Sequence, residues 1–151
     1  MTNSLERLSI NANEAHDCPD CGAHAVHVQE EVRTFLYGVT EPVTLSAMMP
    51  VWACSECEFA YIDGRGEEIE HMAICRHLGV LTPQEIRGVR KQHKFSRREL
   101  ARLTGYGEAS IKRWERGAVI QNTSADRFLR LIKDDLGVVK KLRRIAEELV
   151  K

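Results

Sequence analysis

The first eighty residues contain no lysine and only four arginines, against thirteen aspartates and glutamates, a net charge of −9. Nucleic acid repels such a stretch; a basic protein suits it. The deficit reverses in residues 81–151, where eighteen Lys and Arg stand against nine Asp and Glu, or +9. The overall net charge of zero therefore hides a division, and division between halves predicts two modules with different partners. The 151 residues suffice for one ordinary domain or two small ones.

Other absences narrow the function. No apolar run approaches the ~18–20 residues of a membrane span. The opening MTNSLERLSINANEAHD lacks a basic start followed by an apolar core, so no secretory signal is expected. A cytoplasmic location follows, in which five cysteines stay out of disulfides. Nothing supplies a nucleophile beside a base, a phosphate-binding glycine loop or an open metal position, and no enzymatic activity is expected.

What is present begins with cysteine. Residues 1–16 read as a polar tail, in which Leu5, Leu8 and Ile10 could form a short docking segment. Cys18-Pro-Asp-Cys21-Gly22 is then answered by Cys54-Ser-Glu-Cys57. Each pair sets two thiolates on a tight turn, and two pairs supply a closed tetrahedral shell for structural Zn²⁺. A redox role or bound iron is the alternative, but a redox CxxC is single and opens a helix in a βαβ unit. His16, His24 and His27 lie near the first pair and receive no role. Ala25–Tyr37 and Val43–Ala53 have strand character, Phe59–Ile62 adds a short strand, and the whole reads as a zinc ribbon. Gly64-Arg-Gly66 ends it, Glu67–His77 is a helix with Cys75 on its apolar side, and a boundary is expected near residue 80.

The second module, residues 81–151, reads as about five helices. Thr82-Pro83-Gln84-Glu85 is a capping box with proline at the first helical position. Ser96 and Glu99 repeat the box, Leu100 and Leu103 face inward, Gly105 turns the chain, and a second short helix follows with Ile111 and Trp114 inside. Gly117 closes it. Two such helices form a helix-turn-helix, whose second member enters the DNA major groove. Arg97, Arg98, Arg102, Lys112, Arg113 and Arg116 crowd the outward surface, far more cation than a solvated face needs. Arg113 is expected to read a base, with Ser110 and Lys112 in support. Arg97 is placed for phosphate, Glu108 faces the groove, and Ala109 can touch a thymine methyl. A fourth helix capped by Asn122, Thr123 or Ser124 brings Phe128, Leu129, Leu131 and Ile132 to the core. Gly137 breaks the chain before a fifth, whose Val138, Leu142, Ile145 and Leu149 form either core or a dimer seam.

The order of parts resembles the MqsA (YgiT-type) family of zinc-finger/helix-turn-helix proteins. The likeness covers residues 16–135: a CPxCG knuckle, a β segment, a second CxxC, a short helix, then LTPQEIRGVRKQHKFSRRELARLTGYGEASIKRWERG. The last part looks like the Xre/Cro-type repressor fold. The resemblance implies a two-domain α+β protein: a four-cysteine zinc ribbon followed by an all-α bundle that binds operator DNA as a homodimer. It also implies an antitoxin of a type II toxin–antitoxin system, whose zinc domain binds a small basic toxin. A stand-alone regulator without a toxin is the other reading. Two departures stand out: Glu58 replaces the glycine that often follows the second knuckle, and Ala109 replaces a polar amide in the DNA-reading helix.

Overall fold

The computed structural model describes residues 14–149. Leu5, Leu8 and Ile10 of the expected tail lie outside the described residues, and His16, its last residue, already belongs to a strand. Two compact units divide between Glu70 and His71, inside a helix and upstream of the boundary expected near residue 80.

The first unit is an antiparallel sheet of β1 (His16–Asp17), β2 (His24–Tyr37), β3 (Val43–Cys54) and β4 (Ala60–Ile62), in that spatial order. β-branched and aromatic residues at period two suit a pleated strand. β2 and β3 stay in one register from Val26 opposite Cys54 to Tyr37 opposite Val43. The core is small, with Val26 and Trp52 excluded from solvent beside Cys18, Ala25 and Cys54. β1 pairs with β2 only at His24 and Val26, and β4 with β3 only from Val51 to Ala53. The sheet therefore has four strands at the cysteine end and two at the other.

Helix α1 (Gly64–Leu78) begins three residues before its expected start at Glu67. Asp63 supplies the reason. Its Oδ1 accepts from the backbone N–H of Arg65 at 2.9 Å and of Gly66 at 3.4 Å, while Oδ2 accepts from Trp52 Nε1 at 3.0 Å. Gly66 is required by close approach, since a Cβ there would sit 2.8 Å from Ile62 Cβ. The Gly64-Arg-Gly66 stretch is thus the first turn of the helix.

The second unit contains α2 (Pro83–Gln92), α3 (Arg97–Thr104), α4 (Glu108–Glu115), α5 (Thr123–Asp134) and α6 (Leu136–Glu148). Both expected capping boxes are formed, at Thr82/Glu85 and Ser96/Glu99, and Asn122 caps α5. Ile86, Leu100, Ile111 and Leu129 are fully buried, each contributing about 1.5–3 kcal/mol of hydrophobic stabilisation. Cys75 is buried too, as an apolar reading requires. Two expectations are corrected. Leu131 does not reach the core and is 55% exposed, because Leu129 and Ile132 already occupy the inner stripe of α5. Gly137 does not break the chain: Asp135 caps α6 by accepting from Gly137 N–H at 2.6 Å, which places the glycine in the first turn. Along α6, Val138 and Leu142 pack on the core, whereas Ile145 and Leu149 stay exposed.

Candidate functional site

The two knuckles meet where the sheet has four strands. Cys18 follows β1, and Cys54 ends β3 opposite Val26, so hydrogen-bonded register carries one pair to the other. Cys18 Sγ lies 3.6 Å from Cys57 Sγ and Cys21 Sγ lies 3.7 Å from Cys54 Sγ, with all four sulfurs within 4.8 Å. Sulfurs at the corners of a tetrahedron ~2.3 Å from a metal stand about 3.8 Å apart. The spacing therefore fits a metal ion.

Protonation supports the same conclusion. Burial opposes ionisation of Cys18, but backbone N–H groups of Cys21 and Asp20 bring its thiol down to about 7. At Cys57 the Phe59 N–H favours the thiolate, yet lost solvation and the crowding of Cys18, Cys21 and Cys54 prevail and push it up to about 12. Four thiolates this close repel one another, and a bound dication lets all of them lose their protons near neutrality. The first turn uses Gly22 at φ 76°, but Glu58 needs no left-handed backbone, since Lys94 is the only non-glycine at positive φ among the described residues. The missing glycine leaves the second knuckle intact.

His16 and His24 have other partners. His16 Nε2 is 3.1 Å from Tyr61 Oη and its ring lies 4.8 Å from Trp52, while His24 Nδ1 is 2.6 Å from Asp17 Oδ1. Only the four cysteines form the cluster, among the described residues.

In the second unit the turn between α3 and α4 is made by Gly105 at φ 77°. Ile111 and Trp114 face inward, so Glu108, Ala109, Lys112, Arg113 and Arg116 project outward and Ser110 is half-buried. Arg113 folds back along its own helix, with Nε 3.4 Å from the Ala109 carbonyl. The end of α4 closes on Gly117 at φ 71°, with Gly117 N–H on Trp114 O and Ala118 N–H on Arg113 O.

Arg97 is the exception on that surface. Its Nε donates at 2.7 Å to Glu115, a carboxylate with no solvent exposure. Arg90 holds the same carboxylate through Nε at 2.5 Å and Nη2 at 3.1 Å, and also donates to Phe95 O. Arg87 reaches Glu115 O at 2.7 Å. Burial alone would raise the Glu115 carboxyl, but the Arg90 and Arg97 guanidiniums outweigh it and hold it below the usual range. One acid thus ties α2 and α3 to the last turn of α4. Sequence reading missed this knot, although Glu115 sits four residues after Ile111, on the inward side of the helix.

A second knot surrounds Asp126. It accepts from Leu81 N–H at 2.7 Å, Gln121 Nε2 at 3.0 Å and Arg130 Nε at 2.8 Å, while Gln121 also donates to Leu81 O and Arg130 to Gly79 O. Gly79 and Leu81, beside the boundary expected near residue 80, are thereby fastened to α5 and the segment before it.

A helix-turn-helix family matches residues 86–133, the stretch from the inner face of α2 to the last turn of α5. No curated protein shows a significant match to the chain. The second unit is therefore a helix-turn-helix domain, the type found in DNA-binding transcription regulators. No helix among the described residues is long and apolar enough to cross a membrane.

Proposed function

We propose that this chain is a sequence-specific transcriptional repressor and the antitoxin of a type II toxin–antitoxin pair, neutralising a basic toxin through its first unit and repressing the shared operon through its second. The supporting observation is the coupling of charge to architecture: the net negative charge falls in the half with the cysteine module and the net positive charge in the half with the helix-turn-helix. The order of modules, as in the MqsA family, supports the same reading.

The cofactor is structural zinc, which suits four thiolates and a closed shell. The DNA-bound form is a homodimer, reading half-sites about one helical turn apart. Arg113 makes the base contact, bidentate to guanine; Ser110 and Lys112 assist on base or phosphate. Glu108 accepts from a cytosine amino group, and Ala109 packs on a thymine methyl. Arg97 contacts phosphate from a side chain already anchored at Nε. The protein acts in the cytoplasm and has no enzymatic role.

Co-expression tests this. The reading frame adjacent to the gene is induced alone and then together with the full chain, and growth is followed. Arrest by the neighbour and rescue by the chain are expected. A harmless neighbour overturns the antitoxin role and leaves the second reading, a stand-alone regulator, which the helix-turn-helix match favours by itself.

A further inference from the structure

The outer half of the β2–β3 hairpin is out of keeping with a free-standing domain. Val32 is 63% exposed, Leu36 72%, Met48 57% and Val39, in the turn, 99%. Period two and the register put Val32, Leu36 and Met48 on one face, with Val32 directly opposite Met48. Thr34 pairs with Ser46 and Leu36 with Thr44 across that face, all four exposed or nearly so. At its base the same face carries Glu30, exposed, opposite Pro50, buried.

The edges are equally bare. Beyond Val26 no strand pairs with the outer side of β2, and before Val51 none pairs with the outer side of β3, among the described residues. A two-stranded ribbon is marginal alone, and an unpaired apolar edge invites another chain. Leu, Val and Met on one ribbon face are costly to leave in water.

We infer that this ribbon face is the docking surface for a basic protein, which lays an apolar patch on Val32, Leu36 and Met48 and sets its cations toward Glu30 and Glu41. The inference rests on the antitoxin reading and adds the surface through which the partner is held. Charge selects the occupant. The first eighty residues carry −9 without a lysine, and the ribbon from residue 28 to 50 holds Glu30, Glu31 and Glu41 against Arg33 alone. Nucleic acid is repelled by such a surface. A second copy of the ribbon would set acid against acid. A basic partner gains on both counts, from apolar burial at the centre and charge at the rim.

The experiment compares the full chain with Val32→Thr/Leu36→Thr, which keeps strand propensity, and with Glu30→Gln/Glu41→Gln. The probe is the purified product of the adjacent reading frame. Expected are a loss of about tenfold or more in affinity for the apolar pair, through faster dissociation. The acidic pair loses association rate and much of its salt dependence. Metal content and DNA binding stay unchanged in both. Full affinity in Val32→Thr/Leu36→Thr overturns the ribbon as the docking surface while the antitoxin reading stands. No binding by the unaltered chain overturns that reading and this inference with it. If the unaltered chain self-associates on sizing and the apolar pair abolishes this, a second copy covers the face and the basic partner is overturned.

Discussion

The two units stabilise themselves by opposite means. The first has a buried cluster of five residues, two of them cysteines of the four-sulfur cluster, and a ribbon whose outer half shelters little. The second has a larger continuous core and two buried carboxylates, each neutralised by arginine. In the first, the site and the stabilising element are the same four sulfurs. In the second they are separate: Glu115 and Asp126 face inward, while Lys112 and Arg113, the proposed DNA contacts, are exposed on the outer side of α4. A binding surface released from structural duty can change its residues without risk to the domain. The four-cysteine cluster, which would hold both a metal and the fold around it, has no such freedom.

Metal removal should break the comparison most sharply. Chelation, or Cys18→Ser with Cys54→Ser, removes an interaction of roughly 10–16 kcal/mol in apparent binding energy. The sheet should unfold while the helical unit keeps its cooperative melt, as read by thiol titration alongside circular dichroism. Loss of both melts together would show that the second unit depends on the first.

Glu115→Ala should act on the other unit. It leaves Arg90 and Arg97 without their shared acid and is expected to cost about 3 kcal/mol in urea unfolding, with metal content unchanged. Acid sharpens the same point. Glu115 and Asp126 are held below their ordinary values of 4.5 and 3.8, so the stability they lend is complete above those values and drains as pH falls beneath them. The helical melt should therefore weaken below about pH 4.5, with a shallower slope in Glu115→Gln. In the first unit the Asp63 cap, held at about 2, would last to lower pH, but protonation of the thiolates ends that fold earlier.

Arg113→Ala should leave both melts alone and cost about 1–3 kcal/mol of binding at one base pair. An equal loss on every sequence would sink the base-reading role. Arg97→Ala should differ from it, losing stability through Glu115 and lowering the salt slope by roughly one unit. The smallest effect is a gain: Lys94 closes α2 at φ 57°, and Lys94→Gly should stabilise the helical unit by about 0.5–1 kcal/mol.

Much of this was legible because it is written locally. The capping boxes at Thr82/Glu85 and Ser96/Glu99, the turn at Gly105 and the inward Ile111 and Trp114 need only neighbours within a turn of helix. The cysteine pairs announce their own geometry. The start of α1 was misplaced because its cap also serves Trp52, eleven residues back. Glu115 escaped notice because a charge reads as surface until its arginines, 25 and 18 residues earlier, are brought beside it. Leu131 was assigned to the core by hydrophobicity alone, when the helical period had room for Leu129 and Ile132 but not for it. Where a residue's partner is distant in sequence, local pattern carries no trace of the pairing.

The fastening of Leu81 also sets an order of events during synthesis. Its N–H finds Asp126 forty-five residues downstream and its C=O finds Gln121 forty residues downstream. At ~5–20 residues per second, several seconds separate the emergence of these groups from the ribosome. All four cysteines have emerged well before Asp126 is made. The cysteine module can close while the helix-turn-helix is still a nascent chain; on the proposed reading, capture of a toxin then runs ahead of control of transcription.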